Sequence, residues 1–225
     1  MTNPSSEPVS PLKQPKAESF VDWFQVNSRW VGVGAVAVLV AVVAAWYVPR
    51  AKLQKNENAD RQLLLAKQSL APGNANIPLA EVDLKKVADR YEGTSAGAEA
   101  AMLLAQLKLE KGDNLGAATY LEGLTSRLKS GPDAVSARTL LGDAYSQLTK
   151  YAEAAAEYER AAAATSMPNE KTSLLMKAGH AYMAAGKTPE ARKIWQTLAN
   201  QSDNPSVAAE ARVRLGELSA QSARG

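Results

Sequence analysis

The sequence predicts an all-α protein in which one long apolar helix precedes a solenoid of helical pairs. Three observations support this class: an uncharged run over residues 30–48, helical apolar periodicity broken at Gly or Pro, and residue types that return at one fixed spacing. Strand-like alternation is not seen in the repeating region. We expect about four helical pairs and a C-terminal capping helix, because such pairs need neighbours to bury their apolar faces.

Composition and charge exclude several classes of function. The 225 residues contain no cysteine and one histidine, which excludes disulfides, thiolate metal sites, cysteine nucleophiles and most histidine chemistry. The 26 Lys and Arg against 23 Asp and Glu leave a formal charge of +3, too small for a nucleic-acid-binding surface. No phosphate-binding glycine loop or hydrolase motif occurs. We expect no enzyme activity, no metal and no cofactor.

The segment before the uncharged run predicts a tail and then an amphipathic helix. Residues 1–17 are rich in Pro and Ser and poor in apolar side chains, a composition typical of disorder. Residues 18–29 place Phe20, Trp23 and Phe24 on one helical face. Such a face suits a juxtamembrane helix at the lipid headgroup boundary, and packing on protein is the alternative.

Residues 30–48 predict a transmembrane helix. At about 1.5 Å per residue this run spans roughly 28 Å, which matches the hydrocarbon core of a bilayer. Trp30 at one end and Trp46 and Tyr47 at the other fall where interfacial aromatic belts lie. We expect an uncleaved anchor; a cleavable signal peptide is the alternative, because Val43-Ala44-Ala45 fits a small-residue cleavage rule.

Small residues form a ridge on one side of the predicted span. A ridge of this kind allows another transmembrane helix to approach closely, although Ala is also a common helix filler. The ridge comprises Gly34, Ala37, Ala41 and Ala45.

Residues 49–222 predict a repeat domain with a step of 37 residues. The step separates Ala117, Ala154 and Ala191 (154 − 117 = 37 and 191 − 154 = 37). It also relates Leu121, Tyr158 and Trp195, then Leu104, Leu141 and Ala178, then Ala105, Gly142, Gly179 and Gly216, and upstream it reaches Ala80, Leu84 and Val87.

Each unit is predicted as two helices joined by a turn. Gly142 and Gly179 place a small residue where the partner helix crosses, and an aromatic follows three residues later at Tyr145 and Tyr182. The first unit has Lys108 where that aromatic belongs. Prolines between the units are expected to stop the second helices; they are Pro132, Pro168 and Pro205.

These units resemble the tetratricopeptide repeat family. The resemblance is carried by Leu141-Gly142-Asp143-Ala144-Tyr145 with Tyr158, and by Gly179-His180-Ala181-Tyr182 with Trp195. It departs from the family at Arg138, where a tryptophan is expected, and in its step, since the family repeats at about 34 residues. The resemblance implies a protein-binding solenoid, but one without the family's basic carboxylate clamp, because Thr139 and Met176 stand where its lysines would.

The larger layout resembles a bacterial family of membrane-anchored repeat proteins. An aromatic segment, one span, Arg90-Tyr91-Glu92-Gly93-Thr94 and Glu110-Lys111-Gly112-Asp113 carry this resemblance. The family includes the ancillary subunit of the Sec translocon, and it implies a cytoplasmic N-terminus and a periplasmic repeat domain. The charge bias at Arg50, Lys52 and Lys55 alone favours the opposite orientation.

First helices line the concave face of such a solenoid, and the repeat register selects its residues. A methionine-bearing, weakly charged groove can adapt to varied apolar segments, although methionines also fill gaps between helices. The predicted groove comprises Met102, Gln106, Leu109, Thr139, Asp143, Ser146, Met176, His180 and Met183. His180 without ligand neighbours, and Glu153, Glu157 and Glu159 on one solvated face, are expected to be structural.

The sequence therefore predicts a non-enzymatic scaffold held in the bacterial inner membrane. We expect it to bind lipid through the span, to bind other proteins of a membrane complex through the span and the groove, and to bind no nucleic acid. The complex is a translocon, a respiratory assembly or a photosynthetic assembly. The alternative is an ancillary periplasmic chaperone that holds unfolded clients at the translocon.

Overall fold

A computed structural model describes residues 28–71, 76–201 and 204–222, and within them the chain is helical without a strand, as predicted. The predicted tail 1–17 and residues 18–27 of the predicted juxtamembrane helix, with Phe20, Trp23 and Phe24, lie outside the described residues. The helices are α1 (Ser28–Gln68), α2 (Ile77–Arg90), α3 (Ser95–Glu110), α4 (Asn114–Arg127), α5 (Pro132–Gln147), α6 (Tyr151–Ala164), α7 (Pro168–Ala184), α8 (Thr188–Ala199) and α9 (Pro205–Ser222).

The chain divides into two units, residues 1–53 and 54–225. In the first unit, all side chains described from Gly32 to Arg50 are exposed, and Trp30 is 77% exposed. This part of α1 has a mean hydropathy of 2.1 and is long and apolar enough to cross a membrane. The predicted boundary between residues 48 and 49 is not a helix end, because α1 continues through Pro49, which removes only one backbone donor.

The second unit begins with the C-terminal part of α1, which packs into the solenoid. Ala59, Leu63 and Ala66 are buried in the same apolar cluster as Ala80 and Leu84 of α2. The upstream extension of the repeat is therefore confirmed, and this part of α1 with α2 forms a leading helical pair.

Three further pairs and a cap follow the leading pair. They are α3 with α4, α5 with α6, and α7 with α8. Helix α9 covers the last pair through Ala208, Ala211 and Leu218, which are buried. The prediction of four pairs with a C-terminal capping helix is confirmed.

Glycines in the first helices allow close crossing by the second helices. A Cβ at Gly142 would lie 2.5 Å from Cε1 of Tyr158, and one at Gly179 would lie 2.7 Å from the Trp195 ring. Such distances are sterically forbidden, so only glycine admits these large rings at the crossing. The predicted role of the two glycines is confirmed.

The inter-unit prolines start helices rather than stop them. The second helices end earlier, at Arg127, Ala164 and Ala199. The three prolines, Pro132, Pro168 and Pro205, are each the first residue of the next helix. Their function as stops was wrongly predicted; the first helical position tolerates proline because its backbone N–H has no partner there anyway.

Candidate functional site

Two clefts lie along the first helices of the repeat domain. A cleft of about 510 Å³ between α3 and α5 is lined by Gln106, Leu109, Asp143 and Ser146, all from the predicted groove. A second cleft of about 310 Å³ is lined by residues of α5, α6 and α7, including Ser146 and His180. The structure therefore brings together five of the nine predicted groove residues.

A polar network occupies the junction of α5, α6 and α7. The Asp143 carboxylate accepts hydrogen bonds from the Tyr158 hydroxyl at 2.6 Å and from the Lys177 ammonium at 2.9 Å. The ammonium also lies 5.3 Å from the centre of the Tyr158 ring. Burial, followed by the bond to Asp143, raises the pKa of Tyr158. The carboxylate in this part of the groove is therefore already paired with cation and phenol within the chain.

His180 connects α7, the first helix of the last pair, to the capping helix α9. Its Nε2 lies 3.2 Å from a carboxylate oxygen of Glu210 on α9, and its ring meets Trp195 edge-on with centroids 4.9 Å apart. Among the described residues no group of three His, Cys, Asp or Glu could hold a metal ion. The geometry gives His180 a packing role at the end of the solenoid.

Four predicted groove residues make contacts within the fold instead. Met102 is half-buried against the first apolar cluster, and Met176 and Met183 are half-buried against the last one. The Trp195 indole N–H donates to Sδ of Met183 at 3.2 Å, and the Thr139 hydroxyl donates to the Val135 carbonyl at 2.8 Å. The three methionines thus pack against the apolar clusters while part of each side chain stays exposed, which agrees with both interpretations of their pattern.

The prediction of a solvated glutamate face is wrong for Glu157. This residue is 6% exposed, and its carboxylate accepts hydrogen bonds from Arg138 on α5, at 2.9 Å, and from Arg160. A buried carboxylate is tolerated because the two guanidinium groups satisfy it. Glu153 is exposed, as predicted.

Two tyrosine–glutamate pairs join the first helices α5 and α7 to the second helix of the preceding unit, and sequence reasoning missed them. The Tyr145 hydroxyl donates to Glu122 at 2.6 Å, and the Tyr182 hydroxyl donates to Glu159 at 2.5 Å. Burial and then the bond to Glu159 raise the pKa of Tyr182 to about 12. The available signal was the glutamate spacing, which equals the repeat step (159 − 122 = 37).

In the apolar part of α1, the predicted packing and anchor residues are uncovered. Trp46 and Tyr47 are each 64% exposed, and the Arg50 guanidinium lies 4.9 Å from the centre of the Trp46 ring. Apart from the neighbouring backbone of α1, no atom of the described chain lies within 4 Å of a Cβ built at Gly34. Ala37, Ala41 and Ala45 are also exposed.

Comparison with known proteins supports the fold. The chain is similar to a Podosopora anserina protein described as a kinesin light chain with nearly identical TPR-like repeats, at 18% identity and a TM-score of 0.55 over 75% of this chain and 89% of that one. It is also similar to BtubC (BKLC) from P. vanneervenii, at 17% identity and a TM-score of 0.52 over 85% of this chain and 82% of that one. No curated protein matches the chain.

A family model matches residues 21–135, which include α1 to α4 and the start of α5. The match covers 115 of the 225 residues (135 − 21 + 1 = 115), just over half of the chain. Repeats of this fold are typical of non-enzymatic scaffolds for protein–protein interaction. The chain belongs to the family of tetratricopeptide repeat-like domains.

Proposed function

We propose that this protein is a membrane-anchored scaffold that binds and organises other proteins of a bacterial inner-membrane complex. In this proposal residues 1–17 are a tail, 18–29 a juxtamembrane helix, 30–48 the span and 49–222 the repeat domain. The observation that carries the proposal is a helix with an uncovered apolar part, followed in the described chain by a repeat solenoid.

The exposed apolar part of α1 supports membrane anchoring. A run of Val side chains from Val33 to Val43 is 54–64% exposed, and no other part of the described chain is packed on it. Leaving so much apolar surface in water is unfavourable, at about 25 cal/mol per Å². A bilayer removes that cost, and exposed backbone groups are already paired within the helix.

The clefts between first helices support protein binding. Leu109 and Leu140 provide apolar contacts in the cleft between α3 and α5, beside Gln106, Glu110 and Gln147. Such a mixed surface fits a polypeptide of mixed polarity. Anchoring confines the scaffold and its partner to one membrane, so the effective concentration is high and a weak groove suffices.

Membrane anchoring is tested with Val40→Arg in the full-length chain. A charge at the centre of a span costs about 2.5–3.5 kcal/mol, so we expect the variant to be extracted by alkaline carbonate. Val40→Leu is the matched control and stays in the membrane. Equal extraction of the wild-type chain and both variants would contradict an uncleaved anchor.

The chain contains no cysteine, so a single introduced thiol can report the orientation of the chain in the membrane. Ser166→Cys gives one exposed thiol in the loop between α6 and α7, and Ser5→Cys gives one near the N-terminus. We expect a membrane-impermeant maleimide added to spheroplasts to label only the Ser166→Cys variant. Labelling of Ser5→Cys alone would reverse the proposed topology, in agreement with the charge bias after the span.

Partner binding is tested with Gln106→Arg, which puts a bulky charge in the cleft between α3 and α5. Gln196→Arg is the matched control, because Gln196 is exposed on second helix α8. After detergent extraction and affinity purification, we expect stoichiometric partners to be lost only from Gln106→Arg. Many substoichiometric partners would instead favour the chaperone, and unchanged partners in both variants would contradict a role for the cleft.

A further inference from the structure

A cavity of about 840 Å³ lies over α3, between the second helices α2 and α4. None of its lining residues belongs to the predicted groove, so it is a separate feature of the repeat domain. Apolar side chains of Leu115, Leu124 and Leu128 line it with Tyr120. Its volume lies within the range of about 300–1,000 Å³ that is usual for ligand pockets.

Small residues in the first unit contribute to this cavity. Adding the 37-residue step to four lining positions gives a larger residue at each one in the next unit (98 + 37 = 135, for example). The pairs are Ala98 and Val135, Ala101 and Arg138, Gly116 and Glu153, and Gly123 and Arg160. Val135 is buried and the Arg138 side chain is 22% exposed, so the space that these two residues fill beside α5 is open beside α3 at Ala98 and Ala101, whereas Glu153 and Arg160 are exposed.

The tyrosine that joins a first helix to the second helix of the preceding unit is also missing here. Tyr145 packs against the first and second apolar clusters, and its hydroxyl donates to Glu122. One repeat step earlier, Lys108 stands in place of Tyr145 and Lys85 in place of Glu122 (145 − 37 = 108 and 122 − 37 = 85). Lys108 lines the cavity but does not fill it with an aromatic ring.

The charges around the cavity are paired with one another. Lys108 bonds Asp113 at 2.9 Å, and Arg127 bonds Glu92 at 3.0 Å. Asp89 bonds Lys85 at 2.7 Å. Since these lining charges already have partners, the surface complements a neutral occupant better than an ionised one.

The cavity extends along one whole helix. Its lining runs on α4 from Leu115 to Leu128, a distance of about 20 Å at about 1.5 Å per residue. This length exceeds one aromatic ring and fits a short polypeptide segment.

We propose that this cavity docks a segment of a partner protein that inserts a neutral aromatic side chain over α3. The inserted ring takes the place that Tyr145 and Tyr182 occupy between the later units. The remaining apolar length along α4 accepts the neighbouring residues of the segment. This surface acts independently of the cleft between α3 and α5.

The first arm of the test measures recognition of the ring with the full-length chain in lipid nanodiscs. N-acetyl-tyrosinamide should give saturable NMR shifts of the Leu124 and Leu128 methyl groups, and N-acetyl-alaninamide should give none. Lys108→Tyr should weaken the binding at least about tenfold, a change of about 1.4 kcal/mol. Lys193→Tyr, the same substitution at an exposed site on α8, should not. Equal binding by Lys108→Tyr would overturn the proposal.

Ala101→Leu blocks the cavity from α3 and replaces Lys108→Tyr if that variant does not fold. The substitution introduces leucine, which the third unit has at the equivalent position, Leu175 (175 − 101 = 74, two steps of 37). We expect the same loss of N-acetyl-tyrosinamide binding.

The second arm identifies the source of the ring by photo-crosslinking in cells. Benzoylphenylalanine at Thr119, which is exposed and lines the cavity, should give a discrete polypeptide adduct that Lys108→Tyr removes. The crosslinked residue of the partner should lie within a few positions of a Tyr, Trp or Phe. N-acetyl-tyrosinamide binding without any polypeptide adduct would identify a small-molecule site and overturn the docking proposal.

Discussion

If α3 with α4 is counted as the first helical pair, the second pair (α5 with α6) and the third pair (α7 with α8) place different side chains at equivalent helix crossings. Where α5 meets α6, Gly142 faces Tyr158, and where α7 meets α8, Gly179 faces Trp195. In the first pair the equivalent residues are Ala105 and Leu121, both fully buried. The smaller first-helix residue accompanies the larger second-helix residue, so the crossing keeps its total volume while its composition changes.

A second position shows the same freedom with charge. The second pair buries Glu157 against Arg138, whereas the equivalent residues of the third pair are Leu175 and Ile194 (138 + 37 = 175 and 157 + 37 = 194). Ile194 is 6% exposed, as Glu157 is. The repeat therefore specifies shape at its crossings and leaves the chemistry that fills them open.

Breaking the shape rule should have the largest effect. Gly179→Val places atoms where the Trp195 ring lies, and we expect a loss of about 3 kcal/mol in the free energy of unfolding. Urea denaturation of the full-length chain in detergent, followed by circular dichroism, measures it.

Gly216→Ala is the control, one repeat step further on (216 − 179 = 37). Apart from the neighbouring backbone of α9, no atom of the described chain lies within 4 Å of a Cβ built at Gly216, and the residue lies inside α9. We expect a gain of about 0.5–1 kcal/mol, because alanine is the better helix former. Equal losses in both variants would show that the crossing is not the cause.

Exchanging charge for apolar packing should have an intermediate effect. Arg138→Leu alone leaves Glu157 paired only with Arg160, whose side chain is 61% exposed, and should cost about 2 kcal/mol. Arg138→Leu with Glu157→Ile reproduces the third pair and should lie within about 1 kcal/mol of the wild type. A double-mutant cycle measures the coupling, and strictly additive effects would contradict the ion pair.

Relieving backbone strain should have the smallest effect. The turns within the three pairs place Gly112, Thr149 and Gly186 at left-handed φ angles of 79°, 58° and 69°. Threonine is disfavoured there, so Thr149→Gly should stabilise the chain by about 0.5–1 kcal/mol. The reverse change, Gly186→Thr, should destabilise it by a similar amount. Thermal unfolding of both variants tests the pair, and shifts of the same sign would contradict the assignment.

The sequence was sufficient for the fold because its signals are local and periodic. Glycine opposite a large ring and apolar spacing at a step of 37 residues located the helical pairs without three-dimensional information. The burial of Glu157 needed such information, since its partner Arg138 lies 19 residues away on another helix. The register placed Met102, Met176 and Met183 on the first helices, but it could not tell how far each one turns towards the core.

The cavity over α3 was beyond prediction for a different reason. It results from side chains that are small or absent on three helices, and each of them, such as Gly123 or Ala101, is unremarkable alone. The substitution of Lys108 for an aromatic was visible in the sequence. Its consequence became visible only when the later tyrosines were seen to join first helices to the second helices of the preceding units.

The C-terminal part of α1 determines which proteolytic cuts release an intact repeat domain. Ala59, Leu63 and Ala66 close the leading edge of the solenoid, and residues 54–58 before them are exposed. A protease that cuts within 54–58 would release a repeat domain in which the apolar clusters at both ends remain covered by a helix. A cut after Gln68 would expose Ala80 and Leu84 to water, and the resulting fragment would tend to self-associate through this apolar surface.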